Sequence, residues 1–218
     1  MDKISIDSQL MDTLRIDGPQ GAPLFLFAHG AGAGMDHEFM QDMATRLAAK
    51  DIRVVRFNFP YMVKRAEDGK KRPPDRAPKL LDAMTAVIDV IAGDSQIVIG
   101  GKSMGGRMAS LLSEHPNVKA IACLGFPFHP PGKPENYKGE QLASIAKPCL
   151  ILQGERDTFG KREEFEHFEF SNDVVVTFIP DGDHSLKPRK ASGFTETQNR
   201  QMAVDRLALF VKGITDVE

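Results

Sequence analysis

The stretch Gln96-Ile97-Val98-Ile99-Gly100-Gly101-Lys102-Ser103-Met104-Gly105-Gly106 decides how this chain reads. Its β-branched run predicts a buried strand over Gln96–Gly100, and Gly106–Glu114 continues as a helix. Between them Ser103 sits with Gly101 and Gly105 two positions to either side. A turn that sharp strains the serine backbone, and glycines beside it let strand and helix approach. The helix behind it aims free backbone N–H groups at charge developing near the serine. The plainer alternative is a serine that only caps the helix. A phosphate-binding loop is excluded, because the Walker spacing is absent.

Outward from this turn, short β-branched or aromatic runs alternate with helix-length segments, the pattern of βα units on a mostly parallel sheet. Strands are predicted at Thr13–Ile16, Leu24–His29, Ile52–Phe57, Lys119–Leu124, Pro148–Gln153 and Val174–Ile179. Helices are predicted at His37–Lys50, Leu80–Ala92, Phe159–Phe170 and Asn199–Val211. Lys64–Lys79 carries seven basic and three acidic residues with Pro73, Pro74 and Pro78, and no periodicity, so a solvated loop is expected. With neither repeat nor linker, residues 1–218 are read as one α/β domain with about eight strands and helices on both faces. The interval Gly125–Lys147, rich in Pro, Gly and charge, has room for a loop and a short helix near Glu140–Ile145, and no lid domain.

Composition removes several function classes. Basic residues number 28 and acidic residues 30, a net charge of −2 that asks for neither nucleic acid nor an anionic membrane as partner. The first residues lack a basic and then apolar signal pattern, and the longest apolar runs are strand-sized, so a cytoplasmic location is expected. Cys123 and Cys149, each inside an apolar run, are expected to be buried free thiols. The His and acidic residues show no paired ligand spacing, so neither metal nor cofactor is expected.

A serine hydroxyl needs a base to take its proton. Among six histidines, His184 follows the last predicted strand, at the C-terminal edge of the sheet where α/β proteins place ligand chemistry. His115 reads as a helix-end residue and His167 as solvent-facing. Asp157, which follows the strand ending at Gln153-Gly154, is the expected acid that orients His184. Glu155 is its main rival, and Asp181 and Asp183 lie too close to His184 in sequence. The turn His29-Gly30-Ala31-Gly32 after an early strand nominates the backbone N–H of Ala31, with that of Met104, as an oxyanion hole. His29 itself is read as a structural histidine bonded to its own loop. Phe59, Tyr61, Phe126 and Phe128 are expected to wall a shallow substrate pocket, with His29 and His129 beside them.

Together the His29-Gly30 turn, the Ser103 elbow, Gly154–Asp157 and Gly182–His184 resemble the α/β-hydrolase superfamily over nearly the whole chain. Phe57-Asn58-Phe59-Pro60-Tyr61 and Gly100–Arg107 are similar to small bacterial hydrolases related to dienelactone hydrolase, and most of all to the group containing testis-expressed and KANL-type proteins. The resemblance implies an eight-stranded sheet, a Ser103–Asp157–His184 triad and hydrolysis of a small acyl substrate. Dienelactone hydrolase carries a cysteine at its elbow, so its lactone substrate is not carried over to Ser103. Some eukaryotic relatives act in protein complexes, which leaves a non-catalytic interaction module as an alternative, beside acyl transfer or peptide hydrolysis by the same residues. Lys102, in the elbow, is expected to make a charged surface contact or, with Arg107 and the 64–79 segment, to favour an anionic substrate.

Overall fold

A computed structural model describes residues 10–215; residues 1–9 and 216–218, the ends of the expected domain, lie outside the described part. The elements are β1 (Arg15–Asp17), β2 (Leu24–Ala28), α1 (Glu38–Ala48), β3 (Arg53–Phe57), α2 (Pro60–Asp68), α3 (Ala77–Ala92), β4 (Ile97–Lys102), α4 (Met104–Leu111), β5 (Val118–Leu124), β6 (Cys149–Gly154), β7 (Val174–Ile179) and α5 (Glu196–Thr215). The strands form one seven-stranded sheet in the order β1-β3-β2-β4-β5-β6-β7. Every pairing is parallel except β1 with β3. This is the mostly parallel α/β sheet that the alternating pattern predicts, with seven strands among the described residues beside an expected eight or so.

The apolar runs are continuous because both faces of the sheet are covered. Leu26, Val55, Ile99, Ile121 and Ile151 pack with residues of α2, α3 and α4. Their chain neighbours Phe25, Val54, Val98, Ala120 and Leu150 point the other way, into the layer formed with α1 and α5. Cys123 and Cys149 are free and buried, as expected. Burial pushes the Cys123 thiol well up together with its contact to Cys149, the contact being the larger cause.

Two stretches depart from the sequence reading. The segment 64–79 is not one loop: α2 runs to Asp68, where the Gly69 N–H donates to the Arg65 carbonyl at 2.9 Å, and α3 starts at Ala77. Pro60 and Pro78 lie in the first turns of these helices, where a missing N–H costs nothing. Charges in the stretch between the helices pair with the helix ends, Arg72 with Asp68 at 2.7 Å and Asp75 with Lys79 at 2.8 Å. Conversely, Phe159–Phe170 holds only a 3₁₀ turn at Arg162–His167. Phe165, Phe168 and Phe170 all gather on Phe128, with ring centroids 4.9, 4.7 and 6.1 Å away, and that convergence replaces the helical face. The interval after β5 carries only a 3₁₀ turn at Glu140–Ala143, close to the short helix expected there.

The chain leaves β2 for β3 on one side and then crosses to β4 on the other. That reversal opens a crevice at the C-terminal ends of β2 and β4. Helix α4 is pressed against the end of β2 there: a Cβ on Gly105 would lie 2.5 Å from the Ala28 carbonyl oxygen and 2.7 Å from that of His29. Gly213, near the end of α5, has nothing within 4 Å of such a position. Gly105→Ala should therefore lose about 1–3 kcal/mol as backbone is forced apart. Gly213→Ala should gain up to about 1 kcal/mol from helix propensity alone. Denaturant titration measures both; equal effects of the two would contradict the packing at the elbow.

Candidate functional site

Ser103 stands between β4 and α4 with φ 53 and ψ −118, a conformation costly for a residue with a side chain. It is held there from both sides: its N–H donates to the Leu124 carbonyl at 2.9 Å, and its carbonyl accepts from the Arg107 N–H at 3.0 Å. The strain lifts the hydroxyl clear of the strand and into reach of the loop after β7. His184 Nε2 is 2.8 Å from Ser103 Oγ. His184 Nδ1 is 2.8 and 3.0 Å from the two carboxylate oxygens of Asp157. An ionised carboxylate only accepts, so the imidazole proton sits on Nδ1, and the Nε2 lone pair is left for the Ser103 hydroxyl.

Asp157 is fully buried. Besides His184 it accepts from the Phe159 N–H at 2.9 Å and from Gln153 Nε2 at 2.9 Å. Glu155, the rival acid, is engaged elsewhere: it accepts from the Asp181 N–H at 2.8 Å and pairs with Arg162. Asp181 pairs with Arg156 and Arg189, and Asp183 accepts from the Ser185 and Lys187 N–H groups, closing the turn that carries His184. Of the other histidines, His115 lies 3.2 Å from Asp89, His167 is exposed, and His37 caps α1.

Lys102 and Phe159 flank this centre. The Lys102 ammonium donates to the His184 carbonyl and stands 5.7 Å from the Phe39 ring. A Cβ on Gly125 would come within 3.0 Å of that ammonium and 2.8 Å of that carbonyl, so only glycine fits beside their contact. The contact places Lys102 inward, against the surface role expected of it. Loss of hydration brings Lys102 down to about 8, opposed by Asp157 and Asp183. Burial likewise lowers the His184 pKa below 6.5, with the Lys102 charge adding to it and Asp157 opposing. Phe159 stacks on the imidazole at 4.2 Å.

The turn after β2 is pinned from behind. His29 Nδ1 bonds the Gly30 carbonyl at 2.7 Å, and its Nε2 accepts from the Phe59 N–H at 3.0 Å. Tyr61 Oη donates to the Ala31 carbonyl at 2.9 Å and lies 3.3 Å from that of Gly30. In a planar trans peptide the N–H opposes the carbonyl, so holding Gly30 C=O on His29 turns the Ala31 N–H the other way. The Met104 N–H opens α4 and has no intrahelical acceptor.

A cleft of about 280 Å³ lies over Ser103 and His184, walled by Ala31, Phe39, Met40 and Phe159 among others. None of the six residues expected to wall the pocket does so. Phe59, Tyr61, Phe126 and Phe128 are core residues with at most 1% of their surface exposed. His29 is buried beneath its own turn, and His129 is buried with Nε2 3.1 Å from Glu164. Position after a strand puts a backbone at the sheet edge but leaves open which way a ring turns, and here Phe59 turns inward onto Phe57, Tyr61 onto His29, and Phe126 and Phe128 onto each other. The walls come instead from the first turn of α1 and from Phe159. The one signal for them is that α1 follows directly on the Gly30–Gly34 turn.

A strained serine on a strand-to-helix turn, reached by a histidine and a buried acid from later loops, defines the architecture of an α/β hydrolase. Residues 21–212 match the alpha/beta hydrolase domain family, and the chain belongs to it. Among solved structures, Est1E from Butyrivibrio proteoclasticus superposes with a TM-score of 0.67 at 16% identity, over 93% of this chain and 94% of that one. Dienelactone hydrolase from Anabaena variabilis gives 0.65 at 19%, over 88% of each chain. The monoacylglycerol lipase of Paleococcus ferrophilus gives 0.64 at 12%, over 89% of this chain and 97% of that one. At these identities the likeness is one of fold. No helix among the described residues is long and apolar enough to cross a membrane.

His29 generates a stability prediction. Its burial lowers its pKa from 6.5 to about 4, partly offset by its bond to Gly30. Between those values the unfolded chain binds a proton that the folded chain refuses. Stability is then complete above pH 6.5 and falls as pH drops toward 4, by up to about 3 kcal/mol. Denaturation midpoints of the protein and of His29→Gln between pH 7 and 4.5 should differ in slope, the variant being flatter. An imidazole signal for folded His29 that titrates near pH 6.5 would contradict this.

Proposed function

We propose that the protein is a serine hydrolase that cleaves small carboxylic esters or thioesters through an acyl-enzyme. The observation that carries the reading is the continuous hydrogen-bonded chain from Ser103 Oγ through His184 to buried Asp157. Ser103 Oγ attacks the acyl carbon while His184 Nε2 takes its proton. The negative charge that develops on the carbonyl oxygen meets the N–H groups of Ala31 and Met104, the proposed oxyanion hole. Collapse expels the alcohol or thiol, which receives the proton from His184. Water then attacks the acyl-Ser103 carbonyl with His184 again as base, releasing the acid and restoring the hydroxyl. Asp157 stays ionised, holds the tautomer and stabilises the imidazolium. Fold neighbours named as an esterase and a monoacylglycerol lipase are consistent with ester chemistry.

The lowered pKa of His184 fits this role, because the base must be neutral to work. Ser103→Ala should abolish turnover of a p-nitrophenyl acyl ester. Asp157→Asn should lose about 10³- to 10⁴-fold in kcat while folding normally. Glu155→Gln should stay within about tenfold of the parent, since Glu155 braces a loop rather than the imidazole. Activity surviving Ser103→Ala, or a crippled Glu155→Gln beside an active Asp157→Asn, would overturn these assignments.

Substrate size follows from the cleft. It is small, and the chain from Gly125 to Lys147 folds no cap over it. Each methylene of a long acyl chain left in water forgoes about 0.8 kcal/mol. Acetyl to butyryl esters should therefore have higher kcat/KM than dodecanoyl esters, with no jump in rate above the micellar threshold. An optimum at long chains would show a hydrophobic tunnel that the cleft lacks.

A further inference from the structure

Gln153, the penultimate residue of β6, is an amide where every neighbouring strand position is apolar or glycine, and it is fully buried. Its Oε1 accepts from the Phe126 N–H at 2.8 Å. Its Nε2 faces three oxygens: Asp157 Oδ2 at 2.9 Å, the Phe126 carbonyl at 3.2 Å and the Gly160 carbonyl at 3.2 Å. The network fixes the orientation of the amide, since a flipped group would set an oxygen against three acceptors. A leucine here would leave a buried N–H and buried carbonyls without partners, which costs far more than the amide gains. Packing alone gives no reason for a carboxamide at this position.

The geometry points to Gln153 as a positioning residue of the reaction proposed above. It acts through Asp157 and touches neither substrate nor the reacting atoms. The carboxylate has two oxygens, and His184 Nδ1 reaches both. The Phe159 N–H holds Oδ1, and Gln153 holds Oδ2. With both oxygens tethered, the carboxylate plane cannot rotate away from the imidazole. Through Phe126 the same amide ties the acid to the loop directly after β5, the strand whose Leu124 carbonyl holds the Ser103 N–H. Acid and nucleophile are thus referred to one backbone segment. The donor also draws charge from Oδ2, so its removal makes the carboxylate a stronger partner for an imidazolium and raises the His184 pKa.

This inference rests on the reading of Asp157 as the acid, and the test separates the two. Steady-state kinetics against pH are compared for the parent, Gln153→Met, Gln153→Glu and Asp157→Asn, with thermal melts to verify folding. Gln153→Met should lose about 10- to 100-fold in kcat, as removal of an orienting partner does, with KM within about twofold. Its acid limb should move to higher pH, a shift that loss of packing alone does not produce. Should Gln153→Met fail to fold, Gln153→Glu decides. It keeps an acceptor for the Phe126 N–H but places a second carboxyl against Asp157, so the pair retains a proton on the acid side. Its profile should turn bell-shaped, with activity lost as that proton leaves. A folded Gln153→Met with kcat within twofold and an unmoved acid limb overturns the inference, as does a Gln153→Glu profile like the parent's. If instead Asp157→Asn retains its kcat, it is the acid assignment that fails.

Discussion

The backbone at Ser103 is the constraint around which the rest of the site is arranged. At φ 53 the serine occupies a conformation that an ordinary residue avoids, and only surrounding structure keeps it there. The Leu124 carbonyl anchors it to the neighbouring strand, and the Arg107 N–H anchors it to the helix behind. Close approach of α4 to the end of β2 completes the grip, with Gly105 as the residue that permits it. The same approach brings the turn after β2 beside the hydroxyl, so the strain that exposes the Ser103 hydroxyl also delivers the N–H groups proposed to meet the oxyanion. A site built this way is assembled before substrate arrives, as electrostatic preorganisation requires.

The loops after β6 and β7 form a second unit, stitched to each other independently of Ser103. The Arg156 N–H donates to Gly182, and Glu155 accepts from Asp181. Within that frame the electrostatics are opposed rather than uniformly favourable. The Lys102 ammonium holds the His184 carbonyl yet disfavours the imidazolium, while Asp157 favours it. The net result is an imidazole held below its ordinary pKa, as the proposed base must be, bonded to a fully buried carboxylate. His29 is neutral for a different reason, burial under its own turn, and serves as a brace.

Much of this was legible in the sequence, and the limits have physical causes. Chain order and placement after strands located Ser103, Asp157 and His184, because in a parallel sheet every strand end of that kind opens on one edge. The strand at Val174–Ile179 has the predicted bounds, since β-branched runs between turn residues admit few registers. Ring direction is not legible: Phe59, Phe126 and Phe128 follow strand ends and Tyr61 opens α2, yet all four rings fold inward, onto Phe57, onto each other or onto His29. In Lys64–Lys79 proline and charge signal a loop, which residues 69–76 are, yet a proline in a first helical turn is equally compatible with the helices α2 and α3 that flank it. Gln153 reads in the sequence as one more residue of the strand Pro148–Gln153. A lone polar side chain in an otherwise apolar strand beside the expected acid is the signal that marks it.

The central claim is that one serine, and no other nucleophile, is activated by its surroundings. Intact mass after exposure to a fluorophosphonate, followed by peptide mapping, addresses it directly. The account predicts a single adduct on Ser103, formed far more slowly in Asp157→Asn. A folded protein that takes no label, or takes it on another residue, would contradict the account.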